Sequence, residues 1–230
     1  KLKKNTNIKE ASIDSRKVQK DNIFFGIKGK KFDGNKFVTQ AFNNGASISI
    51  NENKKKNKFK NDIYVKNSLK TFSEIGKMVR VSSDISSIAI TGSSGKTSLK
   101  EMLGQMMSKI YQTSYSKKSF NNKYGVPISL FNINKKDKIG IFEVGMDKKG
   151  EIDFLTKKIM PDVGVITNIS YAHIKNFKDL KGIANAKSEI IDNILENGAI
   201  ILNADDKFFE FFKSKSLKKK LRIISFGIQK

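Results

Sequence analysis

The sequence predicts an α/β protein with two domains, the second built on a mainly parallel sheet flanked by helices. From Ile88 onward, short apolar runs alternate with amphipathic helical stretches, which is the pattern of a buried parallel sheet. A glycine-bearing turn directly follows the first of these runs. The earlier part of the chain is a less regular mixture of short strands and helices. We therefore predict a small α/β domain at residues 1–83 and a second domain at 84–230.

The first domain shows local strand, helix and linker signals. Residues 21–29, DNIFFGIKG, predict a strand that ends in a glycine turn. Residues 35–46 predict a helix closed by Gly45, and SISI at 47–50 predicts the next strand. The polar stretch VSSDISS at 81–87 predicts a linker between the domains.

The second domain contains five strand candidates, which are residues 87–90, 139–145, 162–168, 199–206 and 222–227. Helical stretches separate them, so the strands are expected to run parallel with helices on both faces. Ligands of such sheets bind beyond the carboxyl ends of the strands. Candidate functional residues are therefore expected in the loops that follow these strands.

Composition excludes several classes of function. The chain has no cysteine, which rules out disulfides, thiolate catalysis and cysteine zinc sites. No apolar run approaches the roughly 18 to 20 residues of a membrane span, and we expect a soluble, cytoplasmic protein. The formal net charge is +23, but the lysines are scattered and only three residues are arginine, Arg16, Arg80 and Arg222. Lysine-rich composition therefore explains the charge better than a nucleic-acid surface does, and KKKNKFK at 54–60 is expected to be a solvated loop rather than a phosphate-binding patch.

The stretch IAITGSSGKTSLK at 88–100 combines a buried strand, a glycine turn and a helix start. The free amide groups and the dipole at a helix N-terminus favour bound phosphate. Lys96 can reach outer phosphates, and Thr97 can offer its hydroxyl to Mg²⁺. The sequence therefore predicts a phosphate-binding loop. The apolar face of the following helix is predicted to consist of Leu99, Met102, Leu103, Met106 and Met107.

The loop departs from the standard phosphate loop at its first position. Ile90 stands five residues before Gly95, where glycine or alanine is usual. We therefore predict a tighter turn in which Gly92 and Gly95 provide the permissive backbone.

Three polar residues stand in apolar or strand-end surroundings. Glu143 interrupts the strand IGIFEVG, and is either an edge residue facing water or a magnesium ligand. His173, the only histidine, follows a strand, and is either structural or a ligand. Lys187 lies on the apolar face of the helix predicted at 179–198. It either extends to solvent or is a functional amine, for example one that has taken up CO₂ as a carbamate.

These residues and their surroundings resemble the Mur ligases of peptidoglycan synthesis over nearly the whole chain. Two motifs, SFNNKYGVP and EVGMDKKGEI, are most similar to the branch that adds D-alanyl-D-alanine. Ser94 and Tyr171 depart from the family pattern, which commonly has asparagine and proline there. The stretches that carry the resemblance are residues 13–37, 90–103, 119–130, 141–152, 161–174, 183–190 and 202–206.

The resemblance implies ATP and Mg²⁺ as cofactors. ATP would be bound by the loop residues Gly92, Ser93, Ser94, Gly95, Lys96, Thr97 and Ser98. Thr97 and Glu143 would hold one Mg²⁺, and His173 with a carbamylated Lys187 would hold a second. Lys96, His173 and Lys187 would be the catalytic residues, with Asn168 supporting the site.

The resemblance also implies UDP-N-acetylmuramoyl-tripeptide and D-alanyl-D-alanine as substrates. Residues 1–83 would bind the UDP-sugar end, through Ser15, Arg16, Asp33 and Gly34, and residues 84–230 would bind ATP. Asn121 and Asn122 would lie near the muramoyl-peptide. ATP would phosphorylate the tripeptide carboxylate, and the dipeptide amine would then displace phosphate.

Family members have a third, carboxyl-terminal domain that this chain is expected to lack, so we expect nucleotide or UDP-sugar binding with little or no ligase turnover. The chain is expected to be a monomer without a nucleic-acid partner. Two alternatives stay open: another Mur ligase or a folylpolyglutamate-synthase-like ligase, and a basic nucleic-acid-binding ATPase. Substrate profiling separates the first, and salt-sensitive nucleic-acid binding the second.

Overall fold

The chain forms two compact α/β units that divide between Met78 and Val79. Each unit contains one sheet, and every pair of strands in both sheets is parallel among the described residues. No helix in the described ranges is long and apolar enough to cross a membrane. The computed structural model describes residues 8–29, 32–54, 59–116, 118–171 and 176–228.

The first unit is built on a four-stranded parallel sheet in the order β1-β2-β3-β4. Its core includes Phe24, Val38 and Ala41, and the rings of Phe25 and Phe72 lie 4.5 Å apart. The strands are β1 (Ala11–Ser12), β2 (Asn22–Phe25), β3 (Ala46–Asn51) and β4 (Asp62–Tyr64), the helices are α1 (Val38–Asn43) and α2 (Ser68–Val81), and two 3-10 turns cover Ser15–Lys17 and Gly34–Phe37.

The two predicted strands of this unit are present as β2 and β3, but the predicted helix at 35–46 is shorter. Asp33 caps a 3-10 turn at Gly34–Phe37, and only the following residues form α1. Gly45 lies in the left-handed region, with φ of 104°, and ends the helical segment as predicted. The predicted linker at 81–87 is also shorter, because the next strand, β5 (Ser86–Thr91), already begins at Ser86.

The second unit is built on a six-stranded parallel sheet in the order β10-β9-β8-β5-β7-β6. All five predicted strands are present, so the sequence-based fold class is confirmed. The strands are β5 (Ser86–Thr91), β6 (Thr113–Tyr115), β7 (Ile139–Glu143), β8 (Val163–Ile166), β9 (Ala199–Asn203) and β10 (Arg222–Phe226).

Helices pack against this sheet and bury its apolar side chains. The larger core cluster joins β7, β8 and β9 to several helices, and a smaller one, around Ile90, Ile141 and Val165, lies under α3. The helices of this unit are α3 (Lys96–Met107), α4 (Gly125–Phe131), α5 (Glu151–Ile159), α6 (Leu180–Lys187), α7 (Glu189–Asp192) and α8 (Phe209–Lys218).

The predicted buried face of α3 is partly wrong. Met102 and Met106 are exposed, whereas Lys100 and Gly104 are buried. A Cβ at Gly104 would lie 2.8 Å from the ring of Tyr115. The absence of a side chain at Gly104 lets α3 approach β6 closely. The helix face that carries Gly104 is therefore buried, and Met102 and Met106 face solvent.

A buried arginine binds several groups at the end of the sheet where β5 and β8 begin. The guanidinium of Arg80 donates to the carbonyl oxygen of Ile159 at 2.8 Å and to that of Met160 at 3.1 Å. It also donates to the hydroxyl of Ser87 at 2.9 Å and lies 3.3 Å from the Asp162 carboxylate. This cluster lies at the amino ends of the strands, opposite the loops described next.

Candidate functional site

The predicted phosphate-binding loop connects the end of β5 at Thr91 to the start of α3 at Lys96. Gly92 has φ of 148° and Gly95 has φ of 78°, which confirms that these two glycines supply the permissive backbone. A Cβ at Gly92 would lie 1.8 Å from Oγ1 of Thr167. Glycine is therefore required at this position by backbone conformation and by space.

The segment that follows β8 holds the loop through reciprocal hydrogen bonds. The main-chain amide of Ser93 donates to the carbonyl of Asn168 at 2.9 Å, and that of Ser94 donates to Oδ1 of Asn168 at 3.1 Å. Thr167 donates its hydroxyl to the carbonyl of Ser94 at 2.7 Å. The amide of Ser170 donates to the hydroxyl of Ser93 at 2.8 Å. The loop thus rests on a preformed support.

Two lysine ammonium groups converge on the loop. Nζ of Lys96 and Nζ of Lys187 each donate to the carbonyl oxygen of Gly92 at 2.8 Å. Burial lowers the pKa of Lys187 to about 7, and the positive charge of Lys96 adds to this effect. Burial also lowers the pKa of Lys96, while the carboxylate of Glu143 opposes that shift. The Lys187 amine is therefore partly neutral near pH 7.

Lys187 is the last residue of α6, directly before the interruption that separates α6 from α7. Only 2 % of its surface is exposed, which confirms that it lies on the buried helix face and rejects the alternative that it extends to solvent. The predicted single helix at 179–198 ends at Lys187 and resumes after Ser188. Lys215 of α8 donates to both the carbonyl and the hydroxyl of Ser188. These contacts fix the break directly beside Lys187.

Glu143 lies at the carboxyl end of β7, a strand flanked on both sides in the sheet. It is 1 % exposed, so it is not an edge residue facing water. The hydroxyl of Thr97 donates to its Oε2 at 2.8 Å, and Nδ2 of Asn121 donates to its Oε1 at 2.7 Å. Each oxygen of the buried Glu143 carboxylate therefore accepts one hydrogen bond, and these two bonds fix the orientation of the carboxylate beside the loop.

Thr97 and Glu143 offer the donor set that Mg²⁺ prefers, which is a hydroxyl and a carboxylate oxygen. Among the described residues no group of three or more His, Cys, Asp and Glu side chains could hold a metal. Mg²⁺ commonly uses one or two protein carboxylates and completes its shell with substrate phosphate and water. One buried carboxylate beside a phosphate-binding loop fits that habit.

The remaining predicted residues of this unit occupy varied positions. Ser98 is exposed on the first turn of α3. Oδ1 of Asn122 accepts from the amides of Tyr124 and Gly125, and so caps the start of α4. His173 lies outside the described residues. The contribution of Thr167 to the loop was missed, although it directly precedes Asn168.

The four predicted residues of the first unit occupy two turns. Ser15 is buried and donates its hydroxyl to Oε1 of Gln40 at 2.7 Å. Arg16 is exposed, and its guanidinium is oriented by Asp14 through contacts of 2.9 Å. The carboxylate of Asp33 caps the 3-10 turn that starts at Gly34, where a Cβ would lie 2.7 Å from the main chain of Ile27.

A glycine loop that ends in Gly-Lys-Thr and connects a parallel strand to a helix N-terminus is typical of P-loop nucleotide-binding proteins, and the second unit has this arrangement. Within that class, the chain belongs to the Mur ligase family. The family model described as the Mur ligase middle domain matches residues 90–230. The model described as the Mur ligase family catalytic domain matches residues 7–111.

Individual relatives agree with this assignment. The chain is 36% identical over 225 residues to a UDP-N-acetylmuramoyl-tripeptide--D-alanyl-D-alanine ligase of Buchnera aphidicola, covering 97% of this chain and 48% of that protein. It superposes on a crystal structure of MurF from Acinetobacter baumannii with a TM-score of 0.88 at 34% identity, covering 96% of this chain and 48% of the other. MurF from Thermotoga maritima in complex with ADP gives a TM-score of 0.86 at 28% identity, covering 99% and 52%. The chain spans about half the length of the curated relatives it matches.

Proposed function

We propose that this chain forms the UDP-sugar-binding and ATP-binding parts of a peptidoglycan ligase. The ligase would join D-alanyl-D-alanine to UDP-N-acetylmuramoyl-tripeptide. The observation that carries the proposal is the convergence of Lys96, Thr97, Glu143 and Lys187 on one glycine loop. The activity for which the relatives are named supports the choice of substrates, and the ADP complex of one relative supports ATP as the nucleotide.

The reaction needs a leaving group, because a carboxylate is a poor electrophile at neutral pH. Transfer of the γ-phosphoryl group of ATP to the tripeptide carboxylate forms an acyl phosphate and releases ADP. The neutral amine of D-alanyl-D-alanine attacks its carbonyl carbon, and the tetrahedral intermediate loses the amine proton and expels phosphate to leave the amide. No side-chain nucleophile takes part, so the protein contributes positioning and charge neutralisation.

The residues of the second unit divide this work. The free amides at the start of α3 and the ammonium of Lys96 would hold the phosphates, for which Lys96 has to leave the carbonyl of Gly92. Thr97 and Glu143 would hold Mg²⁺, which neutralises phosphate charge when bound. Asn168 supports the loop through its contacts with Ser94.

Lys187 and His173 are the proposed ligands of a second Mg²⁺. The neutral amine of Lys187 can attack CO₂, forming an N–C bond and releasing one proton, and the resulting carbamate is an oxygen ligand. The lowered pKa of Lys187, caused first by burial and second by Lys96, supports this step because only the neutral amine reacts. Mass spectrometry of the intact chain in bicarbonate buffer tests for the carbamate.

The substrate side of the proposal rests on two groups of residues. Arg16 presents an exposed guanidinium whose direction is set by Asp14, which suits a diphosphate. Ser15, Asp33 and Gly34 would complete the UDP-sugar contacts. Asn121 and Asn122 would lie near the muramoyl-peptide. We further propose that the enzyme is a cytoplasmic monomer, and sedimentation of the chain measures its oligomeric state.

Calorimetric titration with ADP and Mg²⁺ tests the nucleotide site in the 230-residue chain itself. Lys96→Ala should abolish saturable binding, whereas Lys109→Ala, an exposed lysine beyond the end of the same helix, should leave it unchanged. Wild-type affinity in Lys96→Ala would reject the loop assignment. Substrate profiling of the complete enzyme then separates the proposed dipeptide from a single amino acid or a folate-linked glutamate.

A further inference from the structure

Lys100 is a fully buried cation that the proposed reaction does not use. None of its surface is exposed. Its ammonium group contacts the carbonyl oxygens of Ser116 and Lys118, each at 2.6 Å, and Oε1 of Glu101 at 2.8 Å. A lysine ammonium has three donors, and these three acceptors satisfy all of them. A buried charge is tolerated when it is paired in this way.

The two carbonyl groups belong to the start of the loop that follows β6. Lys118 has φ of 51°, a left-handed conformation that costs a residue other than glycine about 1 to 2 kcal/mol. Such a conformation persists where the surroundings over-determine it. The contact with Lys100 supplies that constraint from the adjacent helix.

The same loop contacts Glu143 from two sides. The hydroxyl of Ser116 accepts from the main-chain amide of Glu143 at 3.3 Å. A few residues further on, Asn121 donates Nδ2 to Oε1 of Glu143 at 2.7 Å, and its carbonyl accepts from the amide of Gly145 at 2.8 Å. The loop therefore holds the main-chain amide of Glu143 and one of its two carboxylate oxygens, Oε1.

We propose that Lys100 is a positioning residue that fixes Ser116 and residues 118–122 of the loop and thereby aims the Glu143 carboxylate at Mg²⁺. This inference rests on the proposed function, in which Glu143 is a metal ligand. Thr97 and Lys100 lie three residues apart on α3, so one helix contacts the carboxylate directly through Thr97 and indirectly through Lys100. Substitution of a residue that orients a metal ligand through a hydrogen bond typically weakens metal affinity about 10 to 100-fold.

The test measures ADP binding by the 230-residue chain as a function of Mg²⁺ concentration. Lys100→Met keeps the length of the side chain and removes its charge. We expect the half-saturating Mg²⁺ concentration to rise about 10-fold, with ADP binding in EDTA unchanged. Lys118→Val disfavours the left-handed conformation from an exposed position, and should raise the Mg²⁺ requirement in the same direction.

Arg80→Met is the matched control, because Arg80 is also a buried cation that binds two carbonyl groups. It lies at the amino ends of the strands of the same sheet, away from Glu143. The substitution should lower stability and leave the Mg²⁺ dependence unchanged. An equal rise in the Mg²⁺ requirement in Arg80→Met would overturn the inference, because loss of stability alone would then explain the effect. A wild-type Mg²⁺ dependence in folded Lys100→Met would overturn it as well.

Hydrogen exchange separates failure of this inference from failure of the proposed function. In metal-free protein, Lys100→Met should accelerate amide exchange at residues 118–122, and Arg80→Met should not. Unchanged exchange in Lys100→Met overturns the positioning role whether or not the chain binds nucleotide. A wild-type chain that does not bind ADP, with accelerated exchange in Lys100→Met, contradicts the proposed function and supports the structural link.

Discussion

Lys96 and Lys187 donate to the same carbonyl oxygen, that of Gly92, at 2.8 Å each. Two like charges on one acceptor disfavour double protonation. Of the two amines, Lys187 is the more deeply buried, and its pKa falls to about 7 from an ordinary value of 10.5. The lysine that reaches the loop from α6 is therefore the one that loses its proton first.

This difference predicts a specific dependence of stability on pH. Between pH 7 and about 10.5, the unfolded chain keeps the Lys187 proton and the folded chain has lost it, so this group makes the folded state more stable as pH rises. Below pH 7 Lys187 is protonated in both the folded and the unfolded chain, so the folded state bears the full free-energy cost of burying its charge. Lys187→Met should therefore exceed wild type in stability most strongly below pH 7, with the advantage narrowing by up to about 1.4 kcal/mol per pH unit above it. Urea unfolding in CO₂-free buffer at several pH values measures this, and a constant difference from pH 6 to 10 contradicts the shifted pKa.

The Glu143 carboxylate is expected to carry the Mg²⁺ dependence of nucleotide binding. Glu143→Gln keeps the shape of the side chain and removes its charge, so ADP affinity should become independent of Mg²⁺ while binding in EDTA persists. Glu189→Gln is the matched control, because Glu189 is a buried carboxylate that caps α5 through the amides of Gly150 and Asp153. That variant should lose stability and keep the Mg²⁺ effect. Titration calorimetry distinguishes the two, and an intact Mg²⁺ effect in Glu143→Gln contradicts the metal assignment.

Gly92→Ala should be far more damaging than alanine at another glycine with positive φ. The new Cβ would overlap Oγ1 of Thr167 at 1.8 Å, and relief would have to move the segment that supports the loop. Gly150 also has positive φ, 89°, but open space around it, so Gly150→Ala should cost only about 1 to 2 kcal/mol of backbone strain. Thermal unfolding together with ADP titration tests the pair, and equal effects of the two variants would contradict the steric argument.

The side chains of Ser94 and Asn168 should be energetically coupled. Oγ of Ser94 donates to Oδ1 of Asn168 at 3.1 Å and accepts from its Nδ2 at 2.9 Å. A double-mutant cycle of Ser94→Ala with Asn168→Ala should give a coupling energy of about 1 kcal/mol in urea unfolding. Ser94→Ala paired with Asn193→Ala should be additive, because Asn193 bonds to α5 rather than to the loop. Additivity in the first pair would show that the contact contributes nothing to stability.

The sequence predicted the interior strands of both sheets and the edge strand β10, and missed the short edge strands β1, β4 and β6. β7 and β8 are continuous apolar runs, and buried parallel strands have this pattern. β6 consists of Thr113, Ser114 and Tyr115 at the edge of the sheet. A three-residue polar strand leaves no periodic signal. The same reason applies to the short strands β1 and β4.

The site was predictable where side chains lie close to a strand end or a helix start. Thr97 and Glu143 are in contact because α3 begins, and β7 ends, at the side of the sheet where the carboxyl ends of the strands lie. Lys100 was not predictable, because lysine is ordinarily a surface residue and its carbonyl partners lie on a loop without regular structure. The break after Lys187 was also missed, since the contact that fixes it comes from Lys215, which is distant in sequence.

The peptide bond between Gly92 and Ser93 offers a single spectroscopic window on this loop. Of the 16 glycines in the chain, only Gly92 is followed by serine. Carbonyl-¹³C glycine combined with ¹⁵N serine therefore labels this one bond, and a carbonyl-edited NMR spectrum should contain one correlation. The labelled carbonyl is the acceptor shared by Lys96 and Lys187, so its chemical shift should report proton loss from one lysine and departure of the other towards phosphate in the same experiment.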